Sequence, residues 1–216
     1  MGDDLWIHQY IGCQTEINLG TPVQIDLRSG LPWDGKVCIA LDPETATYFT
    51  IHLRIPSWAE RFVIRINGQP YPIQSHSETK SKESPASGYD PGQAWFLPIR
   101  RVWSPGDVLE IDLEMQVVLR RAFPRLHDHK NKAVLTRGPL VYCLESVDNP
   151  GVDIFTAHLN PSSVGANASC VAFLPTLLGG TKVITGETTD GKDLVFIPYF
   201  LWANRVESQM TVWVNS

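Results

Sequence analysis

Three stretches of this chain alternate apolar and polar side chains with period two, and that pattern limits the fold more than any other feature. Val23, Ile25 and Leu27 alternate with Gln24, Asp26 and Arg28. Phe49, Ile51, Leu53 and Ile55 alternate with Thr50, His52 and Arg54. Leu109, Ile111, Leu113 and Met115 alternate with Glu110, Asp112 and Glu114. In an extended chain successive side chains point to opposite faces, so each stretch predicts an antiparallel strand with one buried face and one wet face.

The punctuation between these stretches agrees. Asn67-Gly68 separates FVIRI from QPYPI, and Asn-Gly suits a type I′ turn, which needs positive φ at both central residues. Asp34-Gly35 and Ser104-Pro105-Gly106-Asp107 are further turn signals, and no segment carries a convincing long helix. Sixteen glycines and sixteen prolines in 216 residues fit many short strands. The predicted class is all-β, as two tandem antiparallel β-sandwich, jelly-roll-like domains. The charged linker RAFPRLHDHKN sets the expected boundary, giving a first domain over 1–126 and a second over 127–216. Within the second, KAVLTRGPLVYCLE predicts two strands joined at Gly138-Pro139, 146–190 reads as a looser stretch, and LVFIPYFLWA and MTVWV read as strands.

Charge and hydropathy narrow the function classes. A net charge of -5 argues against nucleic acid as a partner, which calls for a basic face. The longest aliphatic run, Val37 to Leu41, is far too short to cross a membrane. Met1-Gly2-Asp3-Asp4 lacks the basic and apolar regions of a secretory leader, so the expected location is cytoplasmic.

Few residues suggest chemistry. Cys13, Cys38, Cys143 and Cys170 are neither adjacent nor in C-x-x-C spacing, and they read as buried reduced thiols. His127-x-His129 is half a metal site at most. Asp34 and Asp107 sit in turns, where they are expected to bond their own backbone. Asn167-Ala168-Ser169 matches the N-glycosylation pattern. Of seven tryptophans, Trp33, Trp58 and Trp202 stand beside turns or strand ends, as contact residues for a sugar or an interface or as core plugs.

The order of several motifs adds to this. Leu5-Trp6-Ile7 through Ile11, Leu31-Pro32-Trp33-Asp34-Gly35-Lys36-Val37, Leu53-Arg54-Ile55-Pro56-Ser57-Trp58-Ala59 and Ile66-Asn67-Gly68 come first. Arg101-x-Trp103-x-x-Gly106-Asp107, VLTRGPLVYCLE (Val134 to Glu145) and Trp202-Ala203-Asn204-Arg205 follow. Over nearly the whole chain these resemble the C-terminal half of glycoside hydrolase family 127, a former domain of unknown function whose characterised members are β-L-arabinofuranosidases. Where that family often has Gly-Tyr before the Arg-x-Trp motif, this chain has Trp95-Phe96.

The resemblance implies a preceding (α/α)6-barrel catalytic domain carrying a cysteine nucleophile within a zinc cluster of one glutamate and three cysteines, plus an acid/base glutamate. This chain has no adjacent cysteines and no Glu-x-Cys, so no catalytic residue and no metal ligand is carried over; zinc belongs to the barrel. The reading is a non-catalytic β-sandwich region that supports the barrel as its partner and shapes the cleft rim or an oligomer contact between copies. The alternative is a carbohydrate-binding module holding arabinose-containing glycans on surface tryptophans.

One expectation is testable from sequence alone. Residues 74–93 are polar and serine-rich and read as a mobile inserted loop, with nothing apolar larger than alanine or proline over 75–87. Limited proteolysis should cut first within 75–87, and mass spectrometry finding first cuts elsewhere would refute it.

Overall fold

The computed structural model describes residues 4–73, 94–165 and 170–216. The expected loop over 74–93 and the Asn167-Ala168-Ser169 pattern lie outside them. The described residues are strands and turns, with three-residue 3-10 segments and no helix long and apolar enough to cross a membrane. The fold is all-β.

The chain divides into two compact units, Met1–Glu114 and Met115–Ser216. The first carries β1 (Asp4–Ile7), β2 (Cys13–Asn18), β3 (Pro22–Ser29), β4 (Lys36–Pro43), β5 (Thr47–Ile55), β6 (Phe62–Ile66), β7 (Gln69–Pro70), β8 (Trp95–Trp103) and β9 (Asp107–Leu113). They form a three-stranded sheet of order β1-β5-β8 and a six-stranded sheet of order β2-β3-β4-β9-β6-β7. The alternating residues of both sheets meet in one core: Ile51, Leu53 and Ile99 from the smaller sheet, Ile39, Leu41 and Leu109 from the larger. Trp103 is fully buried there. Its indole Nε1–H donates to the Phe49 carbonyl at 3.2 Å, which satisfies the one polar atom the ring would otherwise strand.

The Asn67-Gly68 turn forms as expected. Both residues have positive φ (52° and 75°), and Ile66 pairs with Gln69 across a two-residue hairpin. The Asn67 amide does more than turn the chain: it donates to Asp107 Oδ1 at 2.7 Å and accepts the Val108 N–H at 2.8 Å, clipping this hairpin to the β8–β9 turn. Asp34 and Asp107 bond nearby backbone, Asp34 accepting the Lys36 N–H at 2.8 Å and Asp107 the Ser104 N–H at 2.9 Å.

The second unit carries β10 (Val117–Arg121), β11 (Lys132–Arg137), β12 (Leu140–Glu145), β13 (Val171–Leu174), β14 (Thr181–Glu187), β15 (Asp193–Pro198), β16 (Met210–Thr211) and β17 (Val214–Asn215). Their path is β10-β11-β12-β15-β14-β13, with β16 on β12 and β17 on β11. Four consecutive buried residues, Tyr142 to Glu145, show that both faces of β12 are covered.

Several expectations differ from this arrangement. β1 pairs with β5 in parallel, whereas the other strand pairs among the described residues are antiparallel. The boundary falls at 114/115 rather than 126/127, because β10 takes its backbone partners from β11 and so belongs with the second unit. The stretch 146–190 contains β13 and β14, the latter inside the sheet. The strand in LVFIPYFLWA stops at Pro198, and MTVWV breaks into β16 and β17.

Gly35 is required for a reason other than its turn. A Cβ there would stand 1.8 Å from the Leu113 carbonyl oxygen, because the two backbones touch through a 3.0 Å bond from the Leu113 N–H to the Gly35 carbonyl. Gly68 has positive φ but nothing within 4 Å of its Cβ position. Gly68→Ala should therefore cost about 1 kcal/mol for a left-handed alanine, whereas Gly35→Ala should cost about 3 kcal/mol or more by forcing backbone apart. Urea unfolding of the two variants is the check, and equal losses would refute the close-approach argument.

Candidate functional site

The three tryptophans singled out by sequence occupy different settings. Trp33 is half-buried between β3 and β4, where its backbone N–H donates to the Gly30 carbonyl at 3.0 Å. Trp58 is half-buried in the turn after β5 and packs against the first core. Trp202 is exposed at the end of the short 3-10 segment Tyr199–Leu201. Its ring centre lies 6.5 Å from that of Tyr199 with the planes tilted by 31°. Trp33 and Trp58 belong to the first unit and Trp202 to the second.

An aromatic cluster absent from the sequence reading lies on the outer side of β1-β5-β8. Trp6 stacks on His52 with ring centres 3.7 Å apart and planes parallel within 1°. Phe96 meets Trp6 edge-on at 4.9 Å, and His8 meets Phe96 edge-on at 5.0 Å. His52 is 8% exposed and Trp6 47%, so Trp6 covers the imidazole and turns its other face outward. The His52 Nε2 lies 3.3 Å from Asp4 Oδ2. Parity gave the available signal: His52 and Trp6 sit opposite one another in register, on the outward row.

Among the described residues the thiols and imidazoles do not converge. Cys13 is exposed, Cys38 half-buried, and Cys143 and Cys170 buried, all as free thiols. Burial pushes the Cys143 thiol up to about 12, reinforced by the carboxylates of Glu145 and Asp148, so it stays protonated at neutral pH. His127 and His129 occupy a 3-10 turn, and the His129 ring stands edge-on to Trp213 at 4.6 Å. Among the described residues no three His, Cys, Asp or Glu side chains group to hold a metal ion. These residues do not fit the zinc cluster that the resemblance implies.

An ionic cluster built on the buried Glu145 organises the second unit. Glu145, 1% exposed at the end of β12, accepts from Arg205 Nη2 and from the Ala203 N–H at 3.0 Å. The same guanidinium grips Asp148 through two bonds of 2.6 and 2.5 Å. Ala203 adopts positive φ (58°), which brings its N–H to the carboxylate. Asn149 bonds the backbone of Glu145 and Val195, tying the same corner to β15. The end of VLTRGPLVYCLE thus meets Trp202-Ala203-Asn204-Arg205 across a gap of 60 residues. With its oxygens committed to Arg205 and Ala203, this carboxylate holds the fold and is not presented to a substrate.

The larger sheet of the first unit has a groove of about 590 Å³ lined by Arg28, Lys36, Arg65, Glu110 and Asp112 among others. Its charges are of both signs, and Arg28 is already bound to Asp26 at 2.7 Å.

Comparison with known proteins covers both units. The family model described as the β-L-arabinofuranosidase GH127 middle domain matches residues 4–115, and that of the glycoside hydrolase family 127 C-terminal domain matches 117–215. A non-reducing end β-L-arabinofuranosidase of Bifidobacterium longum subsp. longum is 32% identical over 98% of this chain and 33% of its own length. The crystal structure of a GH127 β-L-arabinofuranosidase from Geobacillus stearothermophilus T6 superposes with a TM-score of 0.77 at 33% identity, over 100% of this chain and 34% of that one. A GH127 β-arabinofuranosidase structure with 24% identity shares the fold, with a TM-score of 0.75 over 99% of this chain and 35% of that one. The chain spans about a third of the length of these relatives.

Removing one partner of a buried pair strands the other charge. Arg205→Ala should destabilise the second unit by about 3–5 kcal/mol, read by chemical unfolding with a probe in that unit. A loss below about 1 kcal/mol, the range of an exposed pair, would show that water reaches the carboxylate.

Proposed function

Because this chain belongs to glycoside hydrolase family 127, matched through the middle and C-terminal domains, we propose that it is the non-catalytic β-sandwich region of a larger glycoside hydrolase. The observation that carries the reading is a mismatch of coverage. The two domain models account for nearly all of this chain, yet the chain accounts for only a third of its relatives. In this reading the parent protein hydrolyses terminal β-L-arabinofuranosides on an (α/α)6 barrel outside these residues, with zinc bound on that barrel. The β-sandwich units support the barrel, and contacts through Trp33, Trp58 and Trp202 serve the cleft rim or an oligomer.

The chemistry of the described residues supports the assignment of catalysis elsewhere. The Cys143 thiol is held protonated, and the buried Glu145 carboxylate is bound to an arginine. Neither offers a nucleophile or a proton to a sugar.

A second reading, a carbohydrate-binding surface, rests on Tyr199 and Trp202. Two exposed rings on one short turn, tilted by 31°, can stack on neighbouring sugar units. Under that reading, Trp202→Ala abolishes retention on an arabinan column while leaving the melting temperature unchanged.

The purified 216-residue chain should not hydrolyse a chromogenic β-L-arabinofuranoside, with or without added zinc. Turnover that survives repurification and vanishes on changing one of the chain's own residues would overturn the proposal.

A further inference from the structure

The two sheets of the first unit present very different outer faces. On the larger sheet the outward row runs Arg28, Cys38, Glu110, Arg65 across β3, β4, β9 and β6, as expected of a face in water. On the smaller sheet the register sets Tyr48 opposite Val102, His52 opposite Pro98 and Arg54 opposite Phe96, with Trp6 over His52. Tyr48 is 61% exposed and Val102 50%. The outward positions of β1, β5 and β8 contain no lysine and no glutamate, and the cations there are Arg54 and Arg100. Aromatic rings with arginine, and little lysine or glutamate, is the composition of an interface core.

We infer that the outer face of β1-β5-β8 is the surface on which the remainder of the parent polypeptide packs, through an apolar patch that carries carboxylates. The inference rests on the proposed function above, which places about two-thirds of the parent chain outside these residues, judging from the relatives' lengths. Charge selects the kind of partner. Asp4 is the one acid among these outward positions and lies beside His52, so Arg54 and Arg100 call for acids on the opposing surface. A second copy would offer these arginines no acid on this face but Asp4, which lies beside His52. A glycan would need a flat run of rings, whereas Phe96 stands at 72° to Trp6 and the stripe continues through Pro98 and Val102.

Hydroxyl-radical footprinting of the full open reading frame, with the 216-residue chain as reference, tests this. Oxidation at Trp6, Tyr48 and Phe96 should fall roughly tenfold in the longer protein, as half-exposed side chains enter a packed interface core. The double variant Tyr48→Asp/Val102→Asp, at two exposed positions, should abolish that protection while leaving the circular dichroism of the 216-residue chain unchanged. Protection on another face with none here overturns the inference but leaves the proposed function standing. No protection anywhere on these residues, or a reading frame that ends with them, overturns both. Protection that appears in the 216-residue chain as its concentration rises assigns the face to a second copy, and protection by arabinan oligosaccharides assigns it to glycan; either result overturns the inference.

Discussion

A strand that hides one row of side chains must present the other, and in β5 that constraint governs the whole first unit. Phe49, Ile51, Leu53 and Ile55 fill the core, while Thr50 and His52 on the opposite row are nearly as inaccessible. β1 and β8 both take their backbone bonds from β5, so the smaller sheet exists only through this strand. Burying both rows of a central strand is ordinary where a layer covers each face. Here one layer is the six-stranded sheet. The other is only a cap made by Trp6 and its neighbours, which leaves aromatic rings beside Arg54 and Arg100 on the outer face.

The second unit is organised by a different force. A carboxylate as deeply placed as Glu145 is tolerated only with a cation and donors around it. Arg205 and the Ala203 N–H meet that need, and in doing so they fix the path of the segment after β15. The residues that make the chain look like its family therefore include many that the fold itself requires. Their presence identifies the architecture and by itself assigns no chemistry.

Much of the architecture was legible because β-sheet physics is written locally. The alternation in β3, β5 and β9 and the Asn67-Gly68 hairpin are short-range signals, and each became the expected element. What escaped depended on distant partners. β1 has only four residues, and its parallel pairing is set by β5, more than forty residues away. β14 carries Gly186 and two threonines, so its pattern is weak until the flanking strands β13 and β15 are present. The role of Gly35 is written in Leu113. Of the three tryptophans singled out by sequence, Trp202 stands exposed and Trp33 and Trp58 are half-buried, whereas the stack of Trp6 on His52 escaped because its two rings lie 46 residues apart in the chain. The motifs ending in Glu145 and Arg205 were visible separately, but nothing in their spacing announces that they touch.

The pairing of β5 with β8 bears on how this fold tolerates change over evolutionary time. Every residue of β8 has a partner on β5, from Trp103 opposite Thr47 to Trp95 opposite Ile55. The register is thus held along the full strand and owes nothing to the connection that precedes it. Lengthening a connection costs little, about 0.6 kcal/mol for each doubling of a flexible loop. A change in the number of residues joining β7 to β8 therefore leaves this strand register in place.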